Sequence, residues 1–211
     1  MRLHFLGVRG STPAHGADFL RYGGFTSCVA LSRDDGPPGL ILDAGTGIRR
    51  ASALYDGAFA GSIVLTHLHW DHVHGLPFFS AGDNDSSVVH VALPTPDSGE
   101  GPLESLRRGM SPPHFPIGPD ELRGEWTFSA LDEGDAEFEG FVVTARRIPH
   151  KGGRTYGYRV EGGGAVVAYL PDHCPTDLGA GPEGWGEYHE AALALCEGAD
   201  VLIHDAFMVK E

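Results

Sequence analysis

Apolar residues along this chain fall into short runs rather than long amphipathic stretches, a pattern that predicts more strand than helix. RLHFLGV at 2–8 and CVALS at 28–32 are the first such runs, separated by a loop containing Gly and Arg. GLILDAGTG at 39–47 reads as a buried strand that stops at a Gly-rich turn. SIVLT at 62–66, VVHVAL at 88–93, FVVTARRI at 141–148, TYGYRV at 155–160 and AVVAYL at 165–170 read as further strands, and DVLIHDAF at 200–207 as a last one. Two segments have helical character. IRRASALYDGAF at 48–59 places Ile48, Ala51 and Leu54/Tyr55 on one face, and EYHEAALALCEGA at 187–199 is closed by Gly198. Strands alternating with one or two helices argue for a mixed α/β sandwich.

Residues 94–125 break the pattern. They are rich in Pro and Gly around a short helical middle, and read as an inserted arm or lid on a single domain spanning 1–211 rather than a linker between domains. Met110, Phe115 and Ile117 in this arm require burial somewhere. The arm is expected either to cover a pocket or to meet a second subunit. The 31 Gly and 15 Pro follow no period, which indicates a loop-rich globular chain of 211 residues.

Charge narrows the partners. Fifteen Lys and Arg against 29 Asp and Glu give a net charge of −14, a field that repels phosphate backbones and argues against a nucleic-acid polymer. A small anionic substrate remains compatible if a metal or a local Arg group inverts the field. Arg9, Arg21, Arg147 and Arg154 lie in or beside Gly-rich loops, either as phosphate contacts or as surface charges. No apolar run approaches the ~20 residues of a membrane helix. The apolar stretch at the N-terminus is too short for a signal peptide. Three scattered cysteines (Cys28, Cys174, Cys196) do not form a disulfide framework. The expectation is a cytoplasmic protein that does not engage membrane.

The twelve histidines then carry the chemistry. HLHWDHVH at 67–74 follows directly on the strand SIVLT. On an extended stretch, residues two apart project to the same side, so His67 and His69 can converge on one ion. A helix beginning near Asp71 would turn Asp71 and His72 back over the strand end, offering a carboxylate and an imidazole to a second ion. His150 and Asp172 each sit just after an expected strand and are candidates to complete the set. Asp43 closes LILDAGTG, where a carboxylate can orient a ligand His through its other ring nitrogen or simply cap the strand.

These residues resemble the metallo-β-lactamase fold superfamily of metallohydrolases, specifically its phosphodiesterase-type branch near ribonuclease Z and the cyclic phosphodiesterases. The likeness rests on THLHWDHVHGLPFF at 66–79. It is extended by GVRGSTP at 7–13, RYGGFTSC at 21–28, LILDAGTG at 40–47, MSPPHFP at 110–116, GYRV at 157–160 and LIHDA at 202–206. The resemblance implies a four-layer αβ/βα sandwich with two divalent metal ions at one edge. Carried over by position, His67, His69 and His150 look like ligands of the first ion and Asp71 and His72 of the second. Asp172 looks like the bridging carboxylate, and Asp71 also takes the catalytic assignment. Relatives carry a further His beyond the LIHDA strand. This sequence stops at Glu211 before any such segment, so the sandwich is expected to lack its last elements. His204 lies inside LIHDA, where relatives do not use it as that ligand. Phe25 replaces a frequent Asn, and Cys174 stands two residues past Asp172, where other branches place a metal-binding Cys.

The implied activity is hydrolysis of a small, cyclic phosphodiester by a metal-bound hydroxide, since coordination lowers the pKa of water to about 7. Imidazole and carboxylate ligands suit Zn²⁺, with Mn²⁺, Fe²⁺ or Co²⁺ as alternatives. Two other readings share the same residues: a hydrolase of lactones, thioesters or other carbonyl esters, and a metal-binding domain without turnover. A homodimer is compatible with the family, but no interface can be read from the sequence.

Overall fold

The computed structural model describes residues 1–206, and the chain divides into two compact units, residues 1–130 and Leu131 onward. Phe207, the end of the expected last strand, lies outside the described residues.

The first unit is built on a six-stranded sheet in the order β1 to β6. Its strands are β1 (Arg2–Gly7), β2 (Cys28–Ser32), β3 (Leu40–Leu42), β4 (Ala60–Val64), β5 (Val88–Pro94) and β6 (Glu125–Leu131). β2 is antiparallel to both β1 and β3, whereas β3, β4 and β5 run parallel. Every residue of β2 and β3 is buried, which explains their continuous apolar reading: strands covered on both faces need no polar alternation. Two short helices, α1 (Ile48–Ala51) and α2 (Trp70–Val73), follow β3 and β4. Tyr55, Phe59 and Phe79 meet edge to face with centroids 5.2 to 6.1 Å apart and anchor these connections in the core.

The arm belongs to this unit. Its helix α3 (Pro102–Arg107) leads to Met110, which is buried with Leu106 and Leu122 in the same core as Ile41 and Ile63. Phe115 and Ile117 pack against that core. Within the arm Arg107 bridges Glu104 and Asp120 at 2.6 Å each, and near its C-terminal end Arg123 holds Asp83 of the body at 3.1 Å.

The second unit holds a five-stranded sheet in the order β11-β10-β9-β8-β7. Its strands are β7 (Gly134–Phe138), β8 (Phe141–Arg147), β9 (Tyr156–Gly162), β10 (Ala165–Leu170) and β11 (Val201–His204). The first four form an antiparallel meander, and β11 joins β10 in parallel after α4 (His189–Cys196). Ala192 and Leu195 of α4 bury against Ile148, Ala168 and Leu170. No helix among the described residues is long and apolar enough to cross a membrane.

Candidate metal centre

Parallel pairing of β3 and β4 sets the first half of the site. Leu42 pairs with Val64, so the residues leaving the two strand ends, Asp43 and Leu65–His67, emerge side by side. In parallel sheets it is this carboxyl end of the strands that presents ligand-binding residues. Asp43 adopts a left-handed backbone conformation (φ 60) and its amide bonds to the Val64 carbonyl at 3.0 Å. The turn beyond it is stitched to α2, with Ala44 N–H donating to the His72 carbonyl at 2.7 Å and Gly75 N–H to the Ala44 carbonyl at 2.8 Å. Only glycine fits at 45: a Cβ there would stand 2.1 Å from the Asp71 carbonyl oxygen.

The Asp43 carboxylate is fully buried and accepts a set of donors. Thr66 gives its backbone N–H at 2.7 Å and its hydroxyl at 2.9 and 3.0 Å, and Ser27 approaches at 3.4 Å. His72 Nδ1 lies 2.7 Å from Asp43 Oδ2. Because a carboxylate only accepts, His72 carries its proton on Nδ1. Thr66 spends its own proton on Asp43, so the hydroxyl accepts from His67 Nδ1, 3.0 Å away. One buried carboxylate and one threonine thus fix the tautomer of two imidazoles and direct both Nε2 lone pairs to a metal, as carboxylate–histidine–metal sites require. The rings crowd together, with the His67 centroid 4.5 Å from that of His69 and 4.2 Å from that of His72.

Asp71 sits in the first turn of α2, with Oδ2 3.6 Å from His72 Nε2. Its Oδ2 accepts the backbone N–H of Ser11 at 2.7 Å, which fixes the carboxylate from the loop after β1. The first unit therefore brings His67, His69, Asp71, His72 and Asp43 into one cluster. Its donor set, imidazoles with a carboxylate at a strand end, fits a divalent ion of the Zn²⁺ type.

The second unit brings His150 and Asp172 together. His150 stands three residues past β8 and Asp172 two past β10, with His150 Nε2 3.4 Å from Asp172 Oδ2. Asp177 approaches the other ring nitrogen of His150 at 3.8 Å and also accepts the Lys151 N–H at 3.3 Å. The Cys174 thiol donates to Asp177, and this hydrogen bond raises the thiol pKa while lowering that of the carboxyl. His204 Nε2 lies 2.9 Å from His173 Nδ1. Burial, and after it the neighbouring His204 and His189, lowers the His173 pKa to about 4.

Thr66, Ser11 and Asp177 were missed by sequence reasoning. A Thr placed between a buried strand and the first His was the available signal for Thr66; Ser11 and Asp177 had none, because their partners are far away in sequence. Of the four arginines left open between phosphate contacts and surface charges, three stack on aromatic rings: Arg9 on Phe19, Arg21 on Tyr22 and Arg147 on Tyr188, at 4.9 to 5.2 Å. Phe25 lies under Arg50 at 6.0 Å.

Comparison with known proteins shows the family and the fold. The family model of the beta-lactamase superfamily domain matches residues 40–211, and the chain belongs to that family. Among curated proteins it is 30% identical over 155 residues to ribonuclease Z of Haloarcula marismortui, a match covering 72% of this chain and 46% of that protein. The chain thus spans about half the length of that relative, and its sequence relatives place it on the ribonuclease Z side of the superfamily, the phosphodiesterase-type branch. Two solved structures share the fold. One is the metallo-beta-lactamase fold protein YhfI from Bacillus subtilis, with TM-score 0.55 and 18% identity over 79% of this chain and 61% of that one. The other is a diphosphatase of the PhnP family, with TM-score 0.57 and 17% identity over 95% of this chain and 72% of that one. The fold class is therefore that of the α/β metallo-β-lactamase sandwich proteins.

Proposed function

We propose that this chain is a metal-dependent hydrolase of a small phosphodiester, cyclic in the simplest case. The observation that carries the reading is the buried Asp43–Thr66 pair, which locks His67 and His72 as Nδ1–H tautomers. In this reading His67, His69 and His150 hold one ion, Asp71 and His72 a second, and Asp172 bridges them, all as one functional domain. Zinc is the favoured metal, and the compartment is the cytoplasm. Divalent ions bound there supply an acidified water and neutralise charge on phosphoryl oxygens. The chain's own residues orient the site: Asp43 and Thr66 set the imidazoles, Ser11 N–H holds Asp71, and Asp177 faces His150.

The net charge of −14 supports a small ester over a nucleic-acid polymer, as does the engagement of Arg9 and Arg21 by aromatic rings. The relative named ribonuclease Z supports phosphodiester chemistry. The test is a panel assayed with zinc-loaded protein: bis(p-nitrophenyl) phosphate, a cyclic nucleotide, a thioester, a lactone and a structured RNA. Turnover confined to the two small phosphodiesters, and abolished in His67→Ala, is the expected result. Turnover of the thioester or lactone alone would transfer the site to carbonyl esters, cleavage of the RNA would overturn the small-substrate reading, and silence with metal loaded would mark a binding domain.

A further inference from the structure

The segment that carries the metal ligands has a second face. In the extended stretch from His67 to His69, alternate side chains point opposite ways, so Leu68 faces away from the two imidazoles. The first turn of α2 continues the division, with Asp71 and His72 on the ligand side and Trp70 and Val73 on the other. Leu68, Trp70 and Val73 line a cavity of about 550 Å3 within the first unit, closed on its far side by the arm through Leu106, Met110 and Phe115. None of the metal-ligand candidates lines it. The volume falls in the range of about 300–1,000 Å3 that small-molecule sites occupy.

We propose that this cavity is a binding site, separate from the metal centre, for a small planar aromatic anion. Trp70 stacks one face on His74, with centroids 5.1 Å apart and planes 19° apart, yet remains 70% exposed, so its other face is open to a second ring. Phe78 meets Phe115 edge-on at 5.8 Å and is itself 54% exposed. Two large, partly uncovered aromatic rings facing one concavity form the kind of apolar patch that marks a ligand-binding groove. The charge comes from Arg108, at the rim. Glu100 holds its Nε at 2.9 Å, which orients the guanidinium and uses neither terminal nitrogen, and those Nη donors match an oxyanion. The Glu100 carboxylate offsets the guanidinium charge, so what Arg108 offers an anion with an apolar body is its pair of directed Nη donors.

Binding of anilinonaphthalene sulfonate, read as emission sensitised by tryptophan, tests the site in chelator-treated protein, so the outcome is independent of any hydrolysis. Saturable binding of one probe per chain is expected, and Trp70→Phe should remove most of the sensitised signal. Gly109, another lining residue, has ordinary backbone angles and nothing within 4 Å of a built Cβ, so a side chain there enters open space without strain. Gly109→Phe is expected to weaken binding about tenfold or more, and Gly109→Ala to leave it within about twofold. Arg108→Gln, at an exposed position, should weaken the sulfonate probe and leave neutral N-phenylnaphthylamine unchanged. Absence of saturable binding, or full-strength binding to Gly109→Phe, would overturn the site. Equal loss of both probes in Arg108→Gln would overturn its preference for an anion.

Discussion

Replacing Asp43 by Asn isolates the orienting role of the buried carboxylate. Asn is close in size and tolerates the left-handed backbone at 43, so neither a cavity nor strain confounds the change. Both carboxylate oxygens face donors. Oδ1 takes the Thr66 backbone N–H at 2.7 Å, and Oδ2 takes His72 Nδ1–H at 2.7 Å. An amide must therefore turn its NH2 toward one of them. Toward Thr66 it meets a backbone N–H that cannot rotate, stranding a buried donor at about 1–3 kcal/mol. Toward His72 it forces the imidazole proton onto Nε2, the nitrogen meant for the metal. The second arrangement is cheaper for the fold and harmful to the site. The expected outcome is a loss of about 10–100-fold in zinc affinity, with thermal stability of the metal-free protein lowered by no more than about 3 kcal/mol. Competition with a chromophoric chelator measures the affinity, and ring-nitrogen NMR of His72 reports the tautomer. Zinc affinity within twofold of the parent, with His72 still protonated on Nδ1, would refute the reasoning.

Three further outcomes follow from the same geometry. Gly45→Ala drives a Cβ to 2.1 Å from the Asp71 carbonyl and 2.7 Å from the Ser27 carbonyl. It should cost about 1–3 kcal/mol in denaturant unfolding and lower metal content, because the turn it disturbs carries α2. Removal of metal by a chelator should lower the unfolding midpoint, since an ion held at a thousand times its Kd contributes about 4 kcal/mol; an unchanged midpoint counts against a resident ion. The His173 pKa is lowered to about 4 by burial, and then by His204 and His189. Between about 6.5, the ordinary histidine value, and about 4 the unfolded chain therefore holds more protons, and stability rises with pH across that window. Acidification from pH 6.5 should progressively destabilise the metal-free protein, and His173→Asn should flatten that slope in urea titrations run at several pH values.

What could be read in the sequence was what a single strand and its neighbours determine. β2 and β5 sit at Cys28–Ser32 and Val88–Pro94, within a residue of their apolar runs: β2 is buried throughout and β5 from Val91 to Pro94, and such burial leaves a continuous apolar signal. The helix expected at 48–59 is only Ile48–Ala51 with a tighter turn at Ser52–Leu54. Tyr55 then turns extended and its hydroxyl bonds to the Pro38 carbonyl at 2.8 Å, a long-range contact that overrides the local period. The apolar face still holds, with Ile48 and Ala51 buried and Leu54 and Tyr55 packed on the core. β6 and β7 went unread: β7 is GDAEF, too polar for an apolar run. Its signal was the turn Glu139-Gly140, whose positive φ values of 53 and 74 are those of a tight hairpin between β7 and β8. The ligand-bearing segment at 67–72 was legible because its residues are adjacent. Asp43 as an orienting carboxylate was one of two readings open in the sequence; its choice of His72 and the part played by Thr66 were not legible, because they depend on the parallel register of β3 and β4.

Metal content per chain, by elemental analysis of protein purified without chelator, tests the central claim most directly. The account predicts two divalent ions per chain, with at least the first of them lost when His67 and His69 are both replaced by Ala. One ion would contradict the two-ion assignment of Asp71, His72 and Asp172, and none would contradict the metal centre itself.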